Sequence, residues 1–300
     1  MTPLRRNLWN LSRLECCILR VVFACAFSSL PAFGGPPALD KSGYHLFNPT
    51  PREQMRELSS DRPDQTESAY TVDAGHFQIE MSVANGTFDH DKANGADVRS
   101  QVWGLGVMNL KAGLLNNVDL QVVFASYVDA RTKDQVTGIT TRDSGFSDVL
   151  TRLKINLWGN DGGTTAFAVM PFVKWPLPET ALRNGKTEGG IIFPFAVELP
   201  AGWGLGVMAE VDFVRDASNA FDTEYFNTIT LSHDIVGNLS GYVEFAARFT
   251  PESDAQWQGQ VDVGLTYGLC ENSQLDLGCN FGVTDTAPDY NPFVGLTLRF

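Results

Sequence analysis

Pro292-Phe293-Val294-Gly295-Leu296-Thr297-Leu298-Arg299-Phe300 ends the chain with an apolar side chain at nearly every second position and an aromatic residue last. Side chains of a strand alternate between its two faces, so Val294, Leu296, Leu298 and Phe300 share one side. A terminal strand of this kind closes the outer-membrane β-barrels of Gram-negative bacteria. Phe300 is then the signal read by the barrel-assembly machinery.

The same alternation recurs back to His76, where Phe77, Ile79, Met81 and Val83 form one face and His76, Gln78, Glu80 and Ser82 the other. Twelve such segments are predicted, at 76–88, 98–113, 117–129, 146–158, 164–175, 188–199, 203–214, 223–235, 239–249, 257–268, 274–283 and 292–300. Most are close to the roughly 9–11 residues that cross a bilayer at a tilt. Links at Leu115-Asn116, Gly159–Gly163, Pro200–Gly202, Val236–Asn238 and Cys270–Ser273 are short, whereas 89–97, 130–145, 176–187, 215–222, 250–256 and 284–291 are longer and polar. Short periplasmic turns alternating with longer external loops mark bacterial barrels, and an even strand number returns both ends to the periplasm. The predicted fold is all-β: a transmembrane, antiparallel, up-and-down barrel of about twelve strands over residues 75–300, preceded by an irregular segment. Alternation falters at Trp103-Gly104-Leu105-Gly106, where a bulge is expected. Trp175 and Trp257 fall at the outer edge and Trp203 and Phe300 at the inner edge, where aromatic girdles belong.

Residues 1–34 read as a signal peptide for the general secretory route: Arg5, Arg6, Arg13 and Arg20 precede an apolar stretch, Val21–Leu30, with cleavage near Gly34. Residues 35–74 are polar and proline-rich, predicting a periplasmic leader or plug-like segment, with a disordered linker as the plainer alternative. The net charge of −13 becomes more negative once the signal, with four arginines and Glu15, is removed. Such acidity argues against nucleic acid as a partner, because phosphates call for Lys and Arg. It suits external loops that meet divalent cations at an outer-membrane lipid and lipopolysaccharide surface. Of five cysteines, Cys16, Cys17 and Cys25 lie in the signal, and Cys270 and Cys279 do not face each other across a hairpin, so no disulfide is expected.

The opposite strand parity supplies the lumen, with Glu80, Arg152, Lys154, Glu210, Glu244, Arg248, Asp262 and Arg299 among its charges and Gln78, Asp119, Asn227 and Asp276 beside them. Charges on membrane strands must look inward. Arg152, Lys154 and Arg248 are expected to pair with Glu210, Glu244 or Asp262 across the lumen. Twelve strands fall between the eight that side chains fill and the sixteen to eighteen that hold an open channel. A small pore is therefore expected, constricted by loop 130–145 or by the leader. No catalytic, cofactor or metal site is expected. His45, His76, His90 and His233 are dispersed, and neither a serine nucleophile elbow nor a phosphate-cradling loop occurs. Ser232-His233-Asp234 alternates faces and so forms no triad by itself.

Ser60-Asp61-Arg62-Pro63-Asp64-Gln65-Thr66-Glu67-Ser68-Ala69-Tyr70-Thr71-Val72, followed by Gly75-His76-Phe77-Gln78-Ile79-Glu80, goes beyond generic barrel features. It resembles the opening of the outer-membrane proteins grouped as the MetA-pathway of phenol degradation family. Their pattern is Asp-Arg-Pro-Asp-x-Thr-Glu and then Gly-x-Phe-x-x-Glu. Gly145-Phe146-Ser147-Asp148 with Lys154 is similar to the family's Gly-x-Gly-Asp…Lys strand, with Phe146-Ser147 in the middle. The resemblance spans residues 60–300. It implies a barrel that passes small, often aromatic or hydrophobic, molecules, without fixing phenol as the solute.

In physical terms, Asp61, Arg62, Asp64 and Glu67 around Pro63 form a stiff turn at the periplasmic mouth, with Thr66 capping it. Pairing with Arg152, Lys154 or Arg299 makes the turn a constriction. The alternative is a tether that seals the seam between the first and last strands. The expected function is passive passage of a small-molecule solute across the outer membrane. A closed structural or surface-binding barrel, a rim-active hydrolase and a soluble β-sandwich are the alternatives.

Overall fold

The computed structural model describes residues 40–92, 95–177, 182, 185–216, 218–251 and 257–300. The predicted signal peptide, with its three cysteines and the expected cleavage site, lies outside the described residues. The strands are β1 (Phe77–Asp91), β2 (Val98–Leu115), β3 (Val118–Asp134), β4 (Thr140–Gly145), β5 (Val149–Trp158), β6 (Thr165–Trp175), β7 (Glu188–Leu199), β8 (Trp203–Arg215), β9 (Phe221–Val236), β10 (Leu239–Phe249), β11 (Gln258–Cys270), β12 (Ser273–Gly282) and β13 (Tyr290–Arg299). Neighbours pair antiparallel, and β1 returns to β13 with Gln78 opposite Arg299 and Met81 opposite Leu296. Because β4 and β5 both lie against β3, they share a stave, and the thirteen strands make a closed barrel of twelve staves.

Closure removes the free sheet edge whose polar groups hydrocarbon could not satisfy. The chain terminus completes the seam: Phe300 N donates to Phe77 O at 2.8 Å, and Phe77 N to Phe300 O at 3.3 Å. The polarity is that of a membrane barrel. Val83, Leu120, Val243, Val263, Leu277 and Val294 are exposed on the outside, while Gln78, Glu80, Asp119, Gln121, Lys154, Glu244, Asp262 and Asp276 are buried within. Trp175, Trp203, Trp257 and Phe300 are all exposed, as girdle residues should be.

The irregularity expected near Trp103–Gly106 is present. Gly106 has φ +58°, a backbone state that glycine enters without strain, and the inward parity of β2 reverses there. Trp103 and Leu105 face out above it, whereas Lys111, of the same odd parity, is buried inside below it. Three expectations are corrected. The strand predicted over 146–158 begins only at Val149, as β5, and an extra strand, β4, precedes it within the predicted loop, the two separated by Phe146–Asp148. Ser147 bridges the break by accepting from Ala125 N through its hydroxyl at 2.6 Å. Loop 130–145 continues as a β3–β4 hairpin with an exposed tip, so it does not fold back to constrict the lumen. Asn227 faces outward, because Phe226, Thr228 and Thr230 on either side of it are the buried positions of β9.

Candidate functional site: a segment threaded through the lumen

The described part of the leader runs into the barrel rather than away from it. Its base is tied at the end of the short turns, where Thr50 N donates to Ala74 O at 2.9 Å and Gly75 N to Gly113 O at 2.8 Å. Asp73, fully buried, lies 3.4 Å from Arg56, 3.7 Å from Lys41 and 3.7 Å from Arg299. Gly113 makes this seat possible. A Cβ there would lie 2.0 Å from Asp73 O, which is backbone and cannot swing aside. Gly113→Val is therefore expected to unseat the leader at a cost of about 1–3 kcal/mol for the clash. Trypsin should then cut after Arg56 roughly tenfold faster in the folded variant than in the wild type; equal rates would contradict this seat.

Above the base the chain crosses the lumen. Asp61 is the node: its carboxylate accepts from Lys154 Nζ at 2.5 Å, pairs with Lys111, and also accepts from Ser68 N at 2.9 Å. Lys111 pairs in turn with Glu80 at 2.5 Å, and Glu80 accepts from Asp61 N at 3.1 Å. Arg62 grips Asp276 through Nε at 3.1 Å and Nη2 at 2.6 Å, and reaches Ser82 at 3.2 Å. It lies against Gly295, where a Cβ would approach Nη2 to 2.3 Å. Bidentate guanidinium–carboxylate pairs fix orientation as well as charge.

The tip follows. Glu244 accepts from Gln65 N at 2.8 Å, Thr66 N at 2.9 Å and the Thr66 hydroxyl at 2.5 Å. Gln65 Nε2 donates to Asp262 at 2.7 Å and Gln260 at 2.9 Å, and Glu67 accepts from Arg152 at 2.5 Å. Ala69 then packs against Ala166 and Ala168, and its carbonyl accepts from Asn156 at 2.8 Å. Beside it Met170, Ile192, Met208, Phe226 and Ala246 form an apolar lining on β6–β10, and Glu67 N touches Met208 Sδ at 3.4 Å.

The electrostatics follow the partners. Burial drives the Asp61 carboxyl upward, but Lys111 and Lys154 outweigh it and hold the group well below its ordinary value. Asp64 forms no ion pair with a cation among the described residues. Burial, assisted by Asp61 and Asp262, pushes it up to about 7. Glu67 is raised to about 7 by burial that Arg152 only partly offsets.

Of the residues predicted from sequence, Asp61, Arg62, Glu67, Glu80, Arg152, Lys154, Glu244 and Asp262 are brought together at the segment. Asp64 lies in the same stretch. Arg299 pairs with Asp73 at the base. Glu210 is half-buried on β8, apart from the segment's hydrogen bonds, and Arg248 pairs with Glu224 and lies over the Phe226 ring at 4.3 Å. Two expectations change. Arg152 and Lys154 pair with the threaded segment, not with Glu210, Glu244 or Asp262 on the wall. The segment also does not stop at the periplasmic mouth, for Glu244 is the sixth residue of the eleven in β10. Lys111 was missed because the turn of parity at Gly106 brings it inside.

Beneath the segment a cavity of about 800 Å³ lies between Arg52–Leu58 and the turns around Asn238 and Glu271–Ser273. Among the described residues no group of three His, Cys, Asp or Glu side chains is arranged to hold a metal ion.

A closed barrel with an outward apolar belt, a charged interior and an N-terminal thread defines a class of outer-membrane proteins. The family described as "Putative MetA-pathway of phenol degradation" matches residues 60–300, and the chain belongs to it. No curated protein sequence matches. Among solved structures, an outer membrane channel from Pseudomonas putida F1 is similar, with TM-score 0.56 and 14% identity over 81% of this chain and 100% of that one. The NanC porin aligns with TM-score 0.47 and 9% identity over 73% of this chain and 98% of that one.

Proposed function

We propose that the chain is an outer-membrane channel for passive passage of small molecules, and that Ser60–Tyr70 sets its bore. One observation carries this: the segment is hydrogen-bonded or ion-paired to β1, β2, β5, β9, β10, β11, β12 and β13. A thread held from nearly every side narrows a lumen that twelve staves leave wider than an eight-strand barrel filled by its own side chains. The periplasmic cavity provides room on the exit side. Small aromatic or hydrophobic solutes are the class that the family description suggests, and the Pseudomonas putida neighbour is itself a channel. Export by the general secretory route and recognition of the Phe300 strand by the assembly machinery belong to the same proposal.

A channel is favoured over a rim hydrolase because the four histidines are engaged, His45 accepting from Phe47 N at 3.2 Å. His76 lies 2.8 Å from Thr50 O and 2.9 Å from Phe300 O, His90 2.7 Å from Asp97, and His233 3.0 Å from Gly202 O. The density of ion pairs favours a second state, in which the same barrel is closed at rest. Planar-bilayer recording of refolded residues 35–300 separates the two. Discrete current steps, reduced by added benzoate or phenol, are expected. Silence from protein shown to be folded would overturn the open channel and leave the closed barrel.

A further inference from the structure

The hairpins β1–β2 and β3–β4 carry the outward face of the wall beyond its aromatic rim. On that face Leu105 lies opposite Tyr127 and Trp103 opposite Asp129, and all three apolar side chains are about two-fifths exposed. Counting up by the strand period, the next outward row is Gln101, Arg131 and Arg142, cross-strand partners in sequence, and the row above pairs Arg99 with Lys133. Four cations thus share one sheet face in a chain of net charge −13. Like charges directly opposite one another destabilise a sheet. The single acid of these rows, Asp129, is taken by Arg142 at 2.6 and 2.8 Å. Arg99, Arg131 and Lys133 have no acidic partner within 4.0 Å among the described residues.

We propose that this face binds a phosphorylated glycolipid of the outer leaflet, lipopolysaccharide through its lipid A phosphates. Charge complementarity selects an anion, and the guanidinium forks of Arg99 and Arg131 suit the paired oxygens of phosphate, with Lys133 beside them. The position selects a lipid over a free anion. The cations continue, strand by strand, the surface of Trp103, Leu105 and Tyr127, along which acyl chains lie. Arg131 lies four positions beyond Tyr127, about 13 Å along the strand, a span that carries the contact from acyl chain to head group. Direct pairing here needs no bridging divalent cation, in contrast to the acidic loops.

The test uses the full barrel in detergent, titrated with bis-phosphoryl lipid A, monophosphoryl lipid A or phosphatidylglycerol, each followed by native mass spectrometry. Wild-type protein is expected to retain bis-phosphoryl lipid A at least tenfold more tightly than R99Q/R131Q/K133Q/R142Q, with monophosphoryl lipid A intermediate and phosphatidylglycerol weakest. Arg99, Arg131 and Arg142 are exposed and Lys133 half-buried, and all four stand on the outward face away from the lumen, so the variant should keep the wild-type conductance, which also verifies its fold. R131Q/R142Q provides a milder second variant with a partial loss. Equal retention by wild type and both variants would overturn the proposal. So would phosphatidylglycerol binding as tightly as lipid A, since the face would then attract any anionic lipid.

Discussion

Replacing Ser60–Tyr70 by a glycine–serine linker of equal length is expected to raise single-channel conductance several-fold, because a twelve-strand lumen freed of its thread approaches an open aqueous passage. The linker cannot make the Asp61, Arg62, Gln65 or Glu67 contacts, so nothing holds it across the bore. The wall itself is closed by backbone pairing and by Phe300, and the barrel is expected to fold. Alanine at Asp61, Arg62 and Asp64 together should give a smaller rise in the same direction. Unchanged conductance with impaired folding would instead make the segment a seam tether.

The largest loss of stability is expected at Lys154→Met. Lys154 is fully buried, and its ammonium neutralises Asp61 and donates to Tyr70 O at 3.3 Å. Removing one member of a buried pair costs about 3–5 kcal/mol where the other charge is left uncompensated, and the loss here is expected near the lower end because Lys111 still pairs with Asp61. With Lys154 gone, Lys111 must serve both Asp61 and Glu80. Urea unfolding in lipid vesicles should show this loss. Adding Asp61→Asn should recover much of it, because Lys111 then faces Glu80 alone. A double variant no more stable than Lys154→Met would argue that the pair is not the anchor of the segment.

The wall was legible in the sequence because a membrane strand has one rule, apolar outward and polar inward with a period of two, and the rule repeats from Phe77 to Phe300. The rule loses its meaning where the backbone departs from the period. At Gly106 the parity turns, and Lys111 reads as lipid-facing although it lies beside Asp61. At Phe146–Asp148 a long β3 serves two short partners, which alternation cannot reveal. The segment was recognisable from its charges around Pro63. Its height in the lumen was not, because Glu244 and Asp262 meet the backbone and side chain of Gln65 across more than 170 residues of chain. Such contacts have no local signature. The apolar lining of Met170, Ile192, Met208 and Phe226 was hidden for a related reason, since inward apolar residues break the polarity rule on which the wall was read.

The central claim, that Ser60–Tyr70 sets the bore, is tested most directly in a single channel molecule. Gln65→Cys, placed in a background with Cys270 and Cys279 changed to serine, puts a thiol at the tip of the segment next to Asp262 and Gln260. A trimethylammonium methanethiosulfonate added during recording should lower the current in one step, and dithiothreitol should restore it. Current unchanged by a modification that mass spectrometry shows to be complete would contradict a path through the segment.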